Sequence, residues 1–143
     1  MANFTATVRT ERPADEVFSF VSDLENFVEW DPGVESSTQI SGDGPGLGAA
    51  YDVSASGAEL TYHVVEFDAP NCLVAEAQTK LLSSHDVITV EVRQGSTYIT
   101  YDATLDLRGP LAMGDAAFAL MFKKIGESAI GGLVKAVDGT RIS

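Results

Sequence analysis

The chain has little of what staples a fold together or recruits a charged partner. Its 143 residues include one cysteine, Cys72, so no internal disulfide can form and a reducing, cytoplasmic setting is expected. Basic residues number 9 against 21 acidic ones, and a net charge of −12 repels nucleic acid and anionic membrane alike. No apolar run reaches the roughly 18 residues of a membrane span, so no stable membrane insertion is expected. Met1-Ala2-Asn3-Phe4 has neither the basic region nor the apolar core of a secretory leader, and none is expected.

Other chemistries are also missing their signatures. The two histidines, His63 and His85, fall in different strand-like segments and, with a lone cysteine, show no familiar zinc-ligand spacing. No metal is expected. There is no Gly-x-Ser-x-Gly elbow and no base near Cys72 in sequence, so a nucleophilic triad lacks support. Gly44-Pro45-Gly46-Leu47-Gly48 spaces its glycines closely, yet it leads into a strand where a phosphate loop needs a helix N-terminus. It reads as a turn, and no cofactor is expected.

What is there suits one domain over 1–143. Apolar residues make up 45% and charged ones 21%, enough to bury a core without disulfides or metals. Asn3–Thr10 alternates Phe4, Ala6 and Val8 with Thr5, Thr7 and Arg9, as a half-buried strand does. Pro13 with Asp15 and Glu16 opens a helix. A second short helix over Asp23–Trp30 ends at Asp31-Pro32-Gly33, because the residue before proline avoids the helical region. Strand patterns follow at Val34–Ser41, Leu47–Ser54, Glu59–Asp68, Cys72–Thr79, Ser83–Arg93 and Thr97–Arg108, joined by short turns that imply an antiparallel sheet.

A long helix closes the sequence. Between Gly109-Pro110 and Asp138-Gly139, apolar residues recur at Phe118, Met121, Phe122, Ile125, Ala129, Leu133 and Val137, the spacing of one helix face. Lys123, Lys124 and Lys135 fall on its polar side. Seven strands and one long helix predict an α+β fold, with the sheet curled around the helix.

Pro13-Ala14-Asp15-Glu16-Val17-Phe18 and Leu24-Glu25-Asn26-Phe27-Val28-Glu29-Trp30-Asp31-Pro32-Gly33-Val34 resemble the start of polyketide cyclase/dehydrase-like proteins of the START-like (SRPBCC) superfamily. Gly44–Tyr51, Tyr62–Pro70 and Thr97–Tyr101 continue the likeness over essentially the whole chain. The resemblance implies a helix-grip fold: a seven-stranded antiparallel sheet around the C-terminal helix, two short helices after the first strand, and a deep cavity between sheet and helix. It spans cyclases, lipid and steroid carriers, hormone receptors and chaperone activators, so it implies no single chemistry. Binding of a small hydrophobic or amphipathic molecule (a lipid, polyketide or aromatic metabolite) is one expectation. The other is a cyclase, aromatase or dehydratase using the same cavity. Monomer and homodimer both remain open.

Candidate site residues follow from strand alternation and this architecture. His85 shares a face with Val87, Thr89 and Glu91 and is expected to point outward, whereas the side taken by His63 is open. Asp86 falls with Ile88, Val90 and Val92, and Tyr101 with Ile99, Ala103 and Leu105. Facing a cavity, either of them becomes a proton donor or an orienting hydrogen bond, and His63, Asp86 and Tyr101 are the acid/base candidates. The alternatives are solvation at a strand end for Asp86 and packing for Tyr101. Trp30 caps the core or closes one end of the cavity, and Tyr51, Ile88, Ile99, Tyr101 and Ala103 are expected on the sheet wall. Phe118, Met121, Phe122 and Ile125 are expected on the helix wall.

Overall fold

The protein is described by a computed structural model covering residues 2–108 and 115–143, with side chains in the last helix taken from Ala119 onward. Strand β1 (Ala2–Thr10) turns Ala2, Phe4, Ala6 and Val8 inward. Helix α1 (Ala14–Ser22) follows Pro13, whose carbonyl accepts from the Val17 amide at 3.0 Å, and Asp15 and Glu16 occupy its positive end. It buries Val17, Phe18 and Val21. Asp23 then caps a single 3-10 turn, Leu24–Asn26, by accepting from the Glu25 amide. Helix α2 (Phe27–Trp30) is one turn long and stops at Asp31, ahead of Pro32.

Six strands succeed one another: β2 (Val34–Ser41), β3 (Ala50–Ala55), β4 (Ala58–Asp68), β5 (Cys72–Gln78), β6 (Leu82–Arg93) and β7 (Ser96–Leu107). With β1 and a two-residue β8 (Thr140–Arg141) they form one antiparallel sheet, in the order β2-β3-β4-β5-β6-β7-β1-β8. The eighth strand differs from the expected seven. Thr140–Arg141 pairs with Val8 and Arg9 after the chain reverses at Asp138, which has a positive φ of 52°. Two residues carry too little pattern to read as a strand. β3 also starts later than expected, at Ala50: Leu47 is exposed, and Gly48, at φ 85°, donates its amide to Val64.

Helix α3 (Asp115–Ala136) lies across the inner face of the sheet. The Gly109-Pro110 start expected for it lies outside the described residues. Its C-terminal half is packed into the core through Ala129, Ile130 and Leu133, with Val137 just beyond its end. Two glycines permit this close approach. A Cβ at Gly132 would collide with the Trp30 carbonyl, and one at Gly126 with the Phe4 ring. Gly131 faces open space and has no such reason. Toward its other end the helix stands off the sheet: Leu120 and Met121 are exposed, and a cavity opens beneath Met121, Phe122 and Ile125.

Candidate ligand cavity

The cavity follows from a pattern of large and small residues in register on the inner face. One row across the sheet reads Tyr62 on β4, Ala77 on β5 and Ser84 on β6. Because Ala77 has only a methyl group, Tyr62 reaches over it, and its hydroxyl lies 3.0 Å from Ser84 Oγ. The next row reads Val64, Ala75, Asp86 and Ala103. Alanines on both sides of Asp86 leave its carboxyl room.

The space is about 180 Å³. An apolar cavity of roughly 150 Å³ is enough to take up benzene. Its walls are mostly apolar: Val53, Leu60 and Ala103 from the sheet, Phe27 from α2, and Met121, Phe122 and Ile125 from α3. Polar groups gather at one side. Ser84 Oγ donates to Asp86 Oδ1 at 3.0 Å, and the Tyr101 hydroxyl donates to Asp86 Oδ2 at 3.1 Å. Since Ser84 spends its only proton on Asp86, the Tyr62 hydroxyl is the donor to Ser84.

This chain of hydroxyls holds a carboxyl that burial disfavours in its charged form. Asp86 is 5% exposed, and desolvation raises its pKa to about 6 against the lowering effect of Ser84 and Tyr101. The same burial, followed by the charge of Asp86, pushes both tyrosines above their ordinary value and keeps them protonated. A second carboxyl, Asp31, lines the same cavity. It is 9% exposed, accepts from the Gly33 amide at 2.9 Å, and has its pKa raised by burial.

Not all the expected residues meet here. Tyr101, Ala103, Met121, Phe122 and Ile125 line the cavity, with Asp86 at its polar side. Trp30, Tyr51, Ile88 and Ile99 do not, because each is packed inside the core. Trp30 instead sets its ring edge-on against Tyr101, centroids 5.7 Å apart. The Tyr51 hydroxyl is buried without a side-chain partner among the described residues, and its pKa rises to about 12, chiefly from burial. The Phe118 side chain lies outside the described residues. His63 stands apart from this cavity: Tyr62 and Val64 take the inner face, and His63 is exposed on the outside of the sheet. His85 is outside as well, its Nδ1 2.7 Å from Glu76 Oε2 across the β5–β6 register.

Sequence reasoning missed Asp31, Tyr62 and Ser84. Ser84 was accessible from alternation with Asp86 and Ile88. In sequence, Asp31 carries only the signal of a helix stop before Pro32. Among the described residues no group of three or more His, Cys, Asp and Glu is arranged to hold a metal ion, and no helix is long and apolar enough to cross a membrane.

A curled antiparallel sheet closed over a C-terminal helix, with a cavity between them, defines the START-like helix-grip class. Within that class, residues 1–138 match the family described as polyketide cyclase / dehydrase and lipid transport, and the chain belongs to it. Among curated proteins none matches. A START superfamily protein from Mycobacterium smegmatis is 19% identical, with 95% of this chain and 94% of that one covered and a TM-score of 0.68. A protein from Thermobifida fusca is 20% identical, with 96% and 93% covered and a TM-score of 0.71. A ginseng major latex-like protein from Panax ginseng is 9% identical, with 89% and 97% covered and a TM-score of 0.58. At these identities the likeness is one of fold.

Proposed function

We propose that this protein binds a small, largely apolar ligand between the sheet and α3, its polar end against the Asp86 cluster. The observation that carries this reading is the cavity of about 180 Å³, apolar on most sides and polar on one. Ligand sites have that composition: apolar walls for affinity and a few placed polar groups for orientation. The lone, half-buried Cys72 suits a reducing compartment such as the cytoplasm. The test is titration with a solvatochromic hydrophobic dye. Micromolar binding that Ala103→Phe weakens at least tenfold supports the reading, since Ala103 lines the cavity. Equal affinity in both proteins refutes it.

A second reading, cyclisation or dehydration of a polyketide-like chain, is favoured by one observation. Asp86 has a pKa of about 6, close to that of an effective general acid or base near neutrality, and two hydroxyls hold it in place. The cavity then supplies the orientation of a flexible substrate. Loss of turnover in Asp86→Asn with retained substrate binding separates this reading from binding alone.

A further inference from the structure

Resting on the binding reading above, we propose that the cavity selects a ligand with an aromatic or aliphatic body and a cationic, hydrogen-bond-donating head, a primary or secondary amine, and rejects carboxylates. The first reason is a count of protons. With Asp86 ionised, the protons of Tyr62, Ser84 and Tyr101 are all committed: Tyr62 donates to Ser84, and Ser84 and Tyr101 both donate to Asp86. Each hydroxyl has one proton. The cluster therefore offers an incoming ligand lone pairs only. A carboxylate arriving there finds no donor, whereas an ammonium head finds acceptors.

The second reason is charge. Asp31 and Asp86 line one cavity, and each sits close enough for Asp31 to raise the pKa of Asp86 electrostatically. No lysine, arginine or histidine is among the described residues lining it. Neither carboxyl has a salt-bridge partner among the described residues. One Asp31 oxygen accepts from the Gly33 amide at 2.9 Å. Two buried acids without a counter-ion are costly, and a bound cation relieves both.

The third reason is the wall. Phe27, Tyr62, Tyr101 and Phe122 bring four aromatic rings to the same space. Aromatic faces attract ammonium groups through the ring quadrupole, most strongly where water is excluded. Rings with carboxylates suit an amine; a free fatty acid finds repulsion.

The experiment is calorimetric titration of the full chain near neutral pH with phenethylamine, phenethyl alcohol and phenylacetate, which share a body and differ in the head. Phenethylamine should bind about tenfold or more tightly than phenylacetate, as expected for one charge-assisted hydrogen bond gained against one repulsion. Its advantage over the alcohol should vanish in Asp86→Asn and shrink in Asp31→Asn, two near-isosteric changes. Equal binding of all three overturns the amine inference and leaves the cavity reading standing. Tighter binding of phenylacetate does the same. If none of the three binds and the hydrophobic dye also fails, the cavity reading falls and takes the inference with it. If the dye binds while phenethylamine does not, the inference alone is overturned.

Discussion

Tyr101 reaches diagonally across the β6–β7 pair to Asp86. The register sets Tyr101 opposite Ile88 and Asp86 opposite Ala103, yet the Tyr101 hydroxyl donates to Asp86 Oδ2 at 3.1 Å. Diagonal neighbours on one sheet face are within reach of a long aromatic side chain, and Ala103 is small enough to leave the path open. The tyrosine thus stabilises a carboxylate that its surroundings otherwise disfavour.

That balance predicts a pH-dependent stability. The folded-state pKa of Asp86, about 6, lies above its ordinary value of 3.8, so the folded protein binds the extra proton between them. Stability therefore falls as pH rises from about 4 to about 6 and levels off above, a loss of about 3 kcal/mol. Asp86→Asn removes this contribution. Its Oδ1 can still accept from Ser84, and the Tyr101 hydroxyl can turn to accept from Nδ2 as it would from a protonated Asp86, so the variant should be more stable than the parent by about 1–3 kcal/mol at about pH 8, with the gap closing toward pH 4. Urea midpoints across that range check it. The difference between the two proteins isolates Asp86 from Asp31, whose pKa is also raised.

Two neighbouring glycines of α3 should respond in opposite directions. Gly131→Ala adds a methyl group into open space and should stabilise the helix by roughly 0.5–1 kcal/mol. Gly132→Ala gains the same propensity but drives a methyl group into the Trp30 carbonyl, and it should cost about 2 kcal/mol or more. Thermal denaturation of the two variants side by side decides the matter. Similar melting temperatures would count against the close approach of α3 to Trp30.

His63→Ala should change little. The side chain is exposed on the outer face of β4, so stability should stay within about 0.5 kcal/mol of the parent. Dye affinity should also be unchanged. A loss of binding in this variant, measured by the same fluorescence titration, would mean the ligand sits on the outside of the sheet.

The order of elements was legible because periodicity is strong in this chain. The inward alternation of β1 and β7 and the stripe on α3 each leave a plain pattern. The polar side of the cavity was only half legible. Asp86 and Tyr101 stand out as polar residues on apolar strand faces, and alternation assigns both to the interior. Alternation cannot say which inward residues border empty space and which are packed, and that is why Ile88 and Ile99 were expected on the wall. That distinction depends on neighbours across the register, such as Ala77 between Tyr62 and Ser84. Asp31 was hidden for another reason. Its position before Pro32 explains a helix end so well that its burial leaves no separate trace in sequence.

The contacts of Gly132 with the Trp30 carbonyl and of Gly126 with the Phe4 ring make α3 a cantilever, clamped along its C-terminal half and overhanging the cavity with the other end. Displacement along a cantilever grows with distance from the clamp. A tilt of about 10° at Gly126 carries Met121, about 8 Å up the helix axis, through roughly 1 Å. The buried contacts around Leu133 and Val137 barely move in such a tilt. The space beneath Met121 and Ile125 would then widen or narrow by bending beyond Gly126, with the buried half of the helix in place.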